Sequence, residues 1–161
     1  RLFRDTEFVP DTLQIVAQTQ DQPSEVEGSA DMLKQILVNL VKNAIEAIPA
    51  TGGEIQIVNN GHVNRDGNLY IELCVKDDGP GISPEIMANL FSPIRSTKGG
   101  EHQGLGLSIV HSLIKKALGL IICRSSNKGT IFEILLPARK HPSLTPTGAE
   151  QSRAGLFLAA E

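Results

Sequence analysis

The stretch "QILVNLVKNAIEA", residues 35–47, is the centre of an apolar pattern with helical spacing. From Asp31 to Ile48 the apolar residues recur every three or four positions, as on one face of an α-helix. They are Leu33, Ile36, Leu37, Leu40, Val41, Ala44, Ile45 and Ile48. Pro49 and the glycines at 52 and 53 indicate where the helix ends. The stretch therefore predicts a long amphipathic helix with one face in the core.

Two asparagines interrupt this helix. Asn39 and Asn43 are four residues apart, so their side chains lie on the same side of it. Asparagine is a poor helix former, and a pair within an apolar helix needs a reason. Either both lie on the solvent face with Lys42 and Glu46, or they form a polar stripe that opens into a ligand cleft. In such a cleft their amide oxygens could join phosphate oxygens and water around Mg²⁺.

The remaining patterns indicate strands and two more helices. Alternation around Leu13 and Ile15 predicts a strand at the edge of the domain. The other predicted elements are antiparallel strands at 54–60 and 68–79 with a hairpin linker at 61–67, a short helix at 83–91, a long helix at about 105–118, and strands at 120–126 and 129–137. This order predicts an α+β two-layer sandwich, in which a mixed, mainly antiparallel sheet is covered on one face by helices.

Composition limits the class of protein. The chain has 161 residues, 40% of them hydrophobic and 20% charged, which predicts one well-cored domain at 1–137 followed by a linker or tail at 138–161. A net charge of -3 argues against nucleic-acid binding. No apolar run approaches the roughly 18 residues of a membrane span and no leader opens the chain, so we expect a cytoplasmic domain. Cys74 and Cys123 lack metal or CxxC spacing, and we expect both to be reduced.

The stretch "VKDDGPGIS", residues 75–83, places two acids and two glycines at the end of a strand. Such a stretch suits any tight turn. It also suits a site where a buried carboxylate accepts a hydrogen bond from an exocyclic amine while glycines let a planar base approach. The residues alone leave both interpretations open.

The stretch "TKGGEHQGLGLSIV", residues 97–110, is a glycine-rich loop that leads into a helix. It is not a Walker A loop, because Leu105 and Gly106 stand where Lys and Ser/Thr are required. It is not a dinucleotide fingerprint either, because Ile109 stands in place of the third glycine. A glycine loop before a helix N-terminus is still typical of an anion site, with a flexible linker as the alternative. Thr97 and Lys98 could add a hydroxyl and a cation.

Taken in order, these stretches resemble the ATP-binding catalytic domain of a sensor histidine kinase, in the superfamily shared with gyrase, Hsp90 and MutL. The resemblance covers about Val9 to Pro137 and implies a Bergerat fold with a flexible ATP lid. The matching motifs are "NLVKNAIEA" (N box), "DDGPGI" (G1 box), "LFSPIRSTK" (F box), "GLGLSIV" (G2 box) and the closing strand "NKGTIFEILLP". The chain departs from the family pattern at Ile94-Arg95, where an aromatic pair is common, and at His102, where glycine is common.

The resemblance also implies roles for single residues. Asn43 would bind Mg²⁺, with Asn39 in the neighbouring phosphate and metal environment, and Lys98 completes the expected catalytic set. Asp77 would hold the adenine amine. The further ATP-binding residues that the resemblance implies are Gly79, Gly81 and Ile82 at the ring, Thr130 through water, Phe91 as the anchor of the lid, and Thr97, Lys98, Gly104, Leu105, Gly106 and Leu107 at the triphosphate.

The N box also favours one reaction over another. Asn39 stands where hydrolytic relatives have a glutamate, and an amide cannot take a proton from water. The resemblance therefore implies transfer of the γ-phosphate of MgATP to a histidine on a separate dimerisation domain, and onward to a response-regulator receiver domain, in a homodimer that is cytosolic or membrane-anchored. No histidine of this chain has the His-(Glu/Asp)-x-x-x-Pro context, so we expect the acceptor domain upstream. An anti-sigma type serine/threonine kinase and a nucleotide-binding module without transfer activity are the alternatives.

Overall fold

Five strands form one sheet in a computed structural model that describes residues 12–20, 24–92 and 105–139. The strands are β1 (Leu13–Thr19), β2 (Gly53–Arg65), β3 (Asn68–Asp77), β4 (Leu120–Ser126) and β5 (Gly129–Pro137). Their order in the sheet is β1-β2-β3-β5-β4. Only the β1–β2 pair among them is parallel, and the other pairs are antiparallel. The predicted mixed, mainly antiparallel sheet is confirmed, with β1 at its edge.

In the described ranges three helices accompany the sheet: α1 (Ala30–Ala47), α2 (Pro84–Met87) and α3 (Leu105–Lys116). Helix α1 packs on β2, β3 and α3, and α3 packs on β4, so the helices cover one face. The core between the two layers is fully apolar at its centre. Its most deeply buried members are Ile36, Leu40 and Val41 of α1, Val110 and Ile114 of α3, and Ile55, Ile71, Val75, Ile134 and Leu136 of the sheet. The predicted two-layer sandwich is therefore confirmed.

Local sequence signals explain the bounds of α1. The Ser29 side chain accepts a hydrogen bond from the Met32 N–H at 3.1 Å, which caps the helix, and Asp31 lies in the first turn. At the other end Ile48 is already extended, and its N–H donates to the Ala44 carbonyl. The amphipathic stripe thus ends just before Pro49, as the sequence predicts.

The predicted antiparallel hairpin is confirmed, but the bounds 61–67 of its linker are wrong, because β2 continues to Arg65. A register shift between Asn59 and Gly61 marks a β-bulge, where Gly61 has a φ of 72° and its N–H donates to Asn59 Oδ1. Asp66 and Gly67 then form the turn, both with positive φ. The bulge changes the side-chain alternation, which made the second half of the strand look like a loop.

The described chain continues past the strand that ends the resemblance. Ala138 is buried and pairs with Val26, and the Arg139 N–H donates to the Glu25 carbonyl at 2.8 Å. The division at residue 137 stays a prediction, because residues 140–161 lie outside the described part. Within that part, no helix has both the length and the apolar character needed to cross a bilayer.

Candidate functional site

A cleft of about 780 Å³ opens between the C-terminal half of α1, the loop after β3, α2 and the start of α3. Its volume is in the range of about 300–1,000 Å³ that small-molecule sites occupy. Six of the residues predicted from the sequence line it: Asn43, Asp77, Gly81, Ile82, Leu107 and Thr130. Segments that are far apart in the chain are therefore brought together at one cavity.

The two asparagines of α1 face the beginning of α3. The Asn39 Nδ2 donates to the Gln35 carbonyl at 2.9 Å, and this bond fixes the orientation of the amide. A Cβ atom placed on Gly106 would lie 3.2 Å from Asn39 Oδ1 and 3.7 Å from Asn43 Oδ1. The glycine therefore lets the first turn of α3 approach the two amide oxygens closely.

Asn43 carries a buried polar atom that has no partner among the described residues. Its Nδ2 makes no hydrogen bond to any described residue, although the atom is shielded from solvent. Leaving such a group unpaired costs about 1–3 kcal/mol, so native structures rarely do so without a reason. The polar-stripe interpretation holds for Asn43, whereas Lys42 beside it is exposed. Glu46 is exposed but also contributes to the cleft wall.

The donor set fits Mg²⁺ when phosphate is present. Amide oxygens are hard ligands of the kind this ion takes, and Asn39 and Asn43 present theirs toward the same point near Gly106. Two amides fall short of the six ligands of an octahedral site, so phosphate and water oxygens would have to supply the others.

The two neighbouring acids have different roles in the structure. Asp77 ends β3 opposite Thr130 and lines the cleft. Burial raises the pKa of the Asp77 carboxyl above its ordinary value of 3.8, and the charge of Asp78 adds to this, while backbone N–H groups of Gly79 and Thr130 that donate to the carboxylate oppose it. Asp78 instead accepts a hydrogen bond from the Glu54 N–H at 2.9 Å, and so ties the start of β2 to the end of β3.

Gly81 is required by the packing of the loop itself. Its φ is 83°, and a Cβ atom there would come within 2.0 Å of the Ser126 carbonyl oxygen. The loop after β3 therefore lies directly on the end of β4. Gly79 is less constrained, since its Cβ would meet Asp77 Oδ1 at 3.0 Å.

Sequence reasoning missed a polar contact that underlies this wall. The Ser125 hydroxyl accepts a hydrogen bond from the Ile82 N–H at 2.7 Å and lies 3.1 Å from the Thr130 hydroxyl. The register of the β4–β5 hairpin pairs Ser125 with Thr130, so a register read from the turn could have found it. Other cleft residues, which were not among the predicted site residues, are Ala44, Glu46, Ala47, Ser83, Glu85, Ile86, Asn89, Leu90, Ser92 and Phe132.

Phe91 does not belong to the cleft lining. Its ring stacks on His111 of α3, with 5.0 Å between centroids and 13° between planes. This contact joins the end of the segment after α2 to α3, and a role as an anchor stays a prediction. The predicted site residues Thr97, Lys98 and Gly104, and the side chain of Leu105, lie outside the described residues, as does the segment expected to form the lid.

Both cysteines are free. Burial, followed by the charge of Glu72, raises the pKa of Cys74. Burial, followed by the negative charge of Asp77, raises the pKa of Cys123 to about 11. The Cys123 Sγ lies 3.8 Å from the Met87 Sδ, which packs α2 on β4. The expectation of reduced thiols is confirmed.

Comparison with known proteins gives consistent matches. The family model described as "Histidine kinase-, DNA gyrase B-, and HSP90-like ATPase" matches residues 28–140. The sensory histidine kinase/phosphatase NtrB of Rhizobium leguminosarum bv. phaseoli is 36% identical over 140 residues, which cover 79% of this chain and 36% of the relative. NtrB of Escherichia coli O157:H7 is 34% identical over 140 residues, covering 82% and 39%. The chain thus spans well under half of the length of these relatives.

Solved structures agree in fold. The mycobacterial sensor histidine kinase MprB superposes with a TM-score of 0.64 at 25% identity, covering 82% of this chain and 88% of that one. The nucleotide-free catalytic domain of the histidine kinase ThkA also gives 0.64, at 31% identity, covering 78% and 79%.

Proposed function

This chain belongs to the histidine kinase-, DNA gyrase B- and HSP90-like ATPase family, and on that premise we propose that it binds MgATP and donates the γ-phosphate to a histidine on a separate dimerisation domain. It would act as the catalytic part of a two-component sensor histidine kinase. The observation that carries the proposal is one cleft that holds both a hydrogen-bond-accepting carboxylate, Asp77, and a buried amide, Asn43, whose Nδ2 has no partner among the described residues.

The adenine would lie at the Asp77 end of the cleft. A carboxylate held by two backbone N–H groups stays available to accept from an exocyclic amine. Ile82, Leu90 and Phe132 supply apolar wall around the same end. An aromatic base needs this combination of flat apolar contact and one directional polar group.

The phosphates would lie at the α1–α3 end. Gly106 stands in the first turn of α3, where backbone N–H groups and the helix dipole favour anions. Asn39 and Asn43 would hold Mg²⁺ together with the phosphate oxygens, and the ion would neutralise part of their charge. Thr97, Lys98, Gly104, Leu105 and Leu107 complete the proposed contacts to the triphosphate.

Transfer is favoured over hydrolysis by the chemistry of Asn39. Its Nδ2 is committed to the Gln35 carbonyl, and its amide oxygen is not a base that could activate water. Phosphoryl transfer needs mainly positioning and charge neutralisation, which this site can supply. The named relatives are sensory histidine kinases, which favours histidine over serine or threonine as the acceptor. A response-regulator receiver domain as the next acceptor and a homodimeric full-length protein belong to the same proposal.

A binding experiment tests the metal assignment. Titration calorimetry with ADP, with and without Mg²⁺, compares the wild type with Asn43→Ala. Loss of an ion-binding ligand costs about 1.5–3 kcal/mol, so we expect Kd to rise about tenfold or more with Mg²⁺ and only about twofold without it. Gln35→Ala is the matched control on the same helix, because Gln35 bonds Asn39 through its backbone carbonyl, which the substitution keeps. Equal losses with and without Mg²⁺ would remove Asn43 from the metal site.

The transfer step needs an acceptor. Radiolabelled ATP and this chain are incubated with the helical phosphoacceptor domain of a sensory histidine kinase relative. A label on the acceptor that is labile in acid and stable in base indicates phosphohistidine. An acid-stable label would instead favour the serine/threonine kinase, and binding with no label would favour the module without transfer activity.

A further inference from the structure

A second cavity, of about 380 Å³, lies on the sheet face opposite the helices, where the end of β3 meets the β4–β5 hairpin. We call it the outer cavity. Gly129 and Ile131 form its floor, and they alternate along β5 with Thr130, which faces the cleft. A Cβ atom on Gly129 would lie 2.0 Å from the Asp77 carbonyl oxygen, so only glycine fits and the middle of the floor stays open. Ligand sites span about 300–1,000 Å³, so this volume suits a ligand smaller than a nucleotide.

Charged side chains of both signs border this floor. Lys76 and Arg124 flank Ile131 in one row of the sheet, because β3 and β4 both pair with β5 at that residue. Asp78 lies in the next row, and its Cα is 3.1 Å from the position of a Cβ on Gly129. Residues two apart on a strand face the same side, about 7 Å from each other, so Lys76 and Asp78 present opposite charges over one open floor.

Most of these charges are not neutralised within the described part of the chain. Arg124 pairs with Glu133 at 2.8 Å through one guanidinium nitrogen, and it keeps donors on the others. Four further charged side chains of the outer cavity form no ion pair with any described residue: Glu54, Lys76, Asp78 and Lys128. Two of the four are positive and two are negative. Separated charges that balance in this way are complementary to a ligand that carries both signs, rather than to a simple anion or cation.

We propose that the outer cavity binds a small amino acid in its zwitterionic form. The carboxylate lies over Ile131 between the Lys76 ammonium and the Arg124 guanidinium, as charge-assisted hydrogen bonds require. The ammonium lies over Gly129 and donates to Asp78, which keeps a second carboxylate oxygen beyond the one that accepts the Glu54 N–H. A short chain between the two charges matches the distance of two residues along β3. The site is separate from the nucleotide cleft and does not depend on the proposed function.

The experiment follows the amide chemical shifts of isotope-labelled wild-type protein during titration with γ-aminobutyrate at constant ionic strength. We expect saturable shifts at the amides of Ser126, Lys128 and Gly129, with a Kd in the millimolar range or below, and smaller shifts at Leu107 on the far wall of the cleft. Butyrate lacks the amine of this probe, and propylamine lacks its carboxylate. Because each loses a hydrogen bond between charged groups, each should bind about tenfold more weakly.

Two substitutions separate the two ends of the ligand. Asp78→Asn keeps an oxygen for the Glu54 N–H but removes the charge that meets the ammonium. It should weaken γ-aminobutyrate about tenfold and leave butyrate unchanged, whereas Lys76→Gln should weaken both. Lys115→Gln is the matched control, because that lysine is exposed in the last turn of α3 and does not line the cavity.

The wild type alone can overturn the inference. Absence of saturable shifts, or shifts confined to residues of the nucleotide cleft, would do so, and so would butyrate or propylamine that binds as tightly as γ-aminobutyrate. Equal weakening of γ-aminobutyrate and butyrate by Asp78→Asn would also overturn it, because the ammonium would then not meet this acid. Wild type that binds ADP but not γ-aminobutyrate overturns this inference alone. Wild type that binds γ-aminobutyrate but not ADP supports it and overturns the proposed function.

Discussion

Replacing Asp77 with asparagine tests the adenine end of the cleft. The amide oxygen can keep the 3.0 Å bond from the Gly79 N–H, so the loop keeps its local support. The second oxygen becomes an NH₂ group, which would point a donor at the donating amine of the base. Loss of one hydrogen bond to a charged group costs about 1.5–3 kcal/mol, which corresponds to a rise of roughly 10- to 150-fold in the Kd for ADP.

Calorimetry measures this change, and Asp78→Asn is the matched control. Asp78 is the next residue in the chain after Asp77. Its carboxylate accepts a hydrogen bond from the Glu54 N–H and does not face the cleft. Because the Asp78 carboxylate bonds the Glu54 N–H outside the cleft, we expect Asp78→Asn to change Kd by no more than about twofold, which corresponds to about 0.5 kcal/mol. A Kd for Asp77→Asn within twofold of the wild type, or a matching loss in Asp78→Asn, would refute the assignment.

In the apo protein, Asp77→Asn should not lower the stability, although it lowers the affinity for ADP. Burial raises the pKa of Asp77 in the folded state, so the unfolded chain releases this proton first as pH rises. The contribution of Asp77 to stability is therefore present below pH 3.8 and is lost as pH rises through the folded pKa. At pH 7 the melting temperature of apo Asp77→Asn should equal or exceed that of the wild type, and the gain should shrink toward pH 3.8. A melting temperature well below the wild type at pH 7 would contradict this.

Two further predictions concern the loop after β3 and the thiol beside α2. Gly81→Ala should destabilise the fold in urea unfolding by about 1–3 kcal/mol more than Gly67→Ala, because both glycines have positive φ but only Gly81 meets a carbonyl oxygen at 2.0 Å while Gly67 has open space. Equal losses would show that the Ser126 contact does not constrain the loop. Cys123, with a pKa of about 11, should be alkylated at pH 8 about 100-fold more slowly than an ordinary thiol of pKa 9.0, since only the thiolate reacts. Following Cys123 by mass spectrometry against the urea-unfolded chain checks this, and equal rates would contradict it.

The elements whose signals are local could be predicted from the sequence. The helical spacing of 31–48 and the closing Pro49 lie within one segment, and they predict α1 within a residue of its observed bounds. The signals for the start of α2, Ser83 and Pro84, and for the turn before Gly129 also lie within a few neighbouring residues. The predicted bounds were wrong at 61–67, because a bulge breaks the period-2 pattern from which strands are inferred.

Periodicity, caps and turn residues act between near neighbours in the chain, and they were enough to predict the fold class and the order of the motifs. The packing of distant segments sets which of Asp77 and Asp78 faces the cleft, leaves the Asn43 Nδ2 without a partner among the described residues, and brings the Ser125 hydroxyl to Thr130 and Ile82. These properties depend on where α1, the loop after β3 and the β4–β5 hairpin meet. Each segment is separated from the others by many residues, and packing of the shared core sets their relative positions to within a hydrogen-bond length.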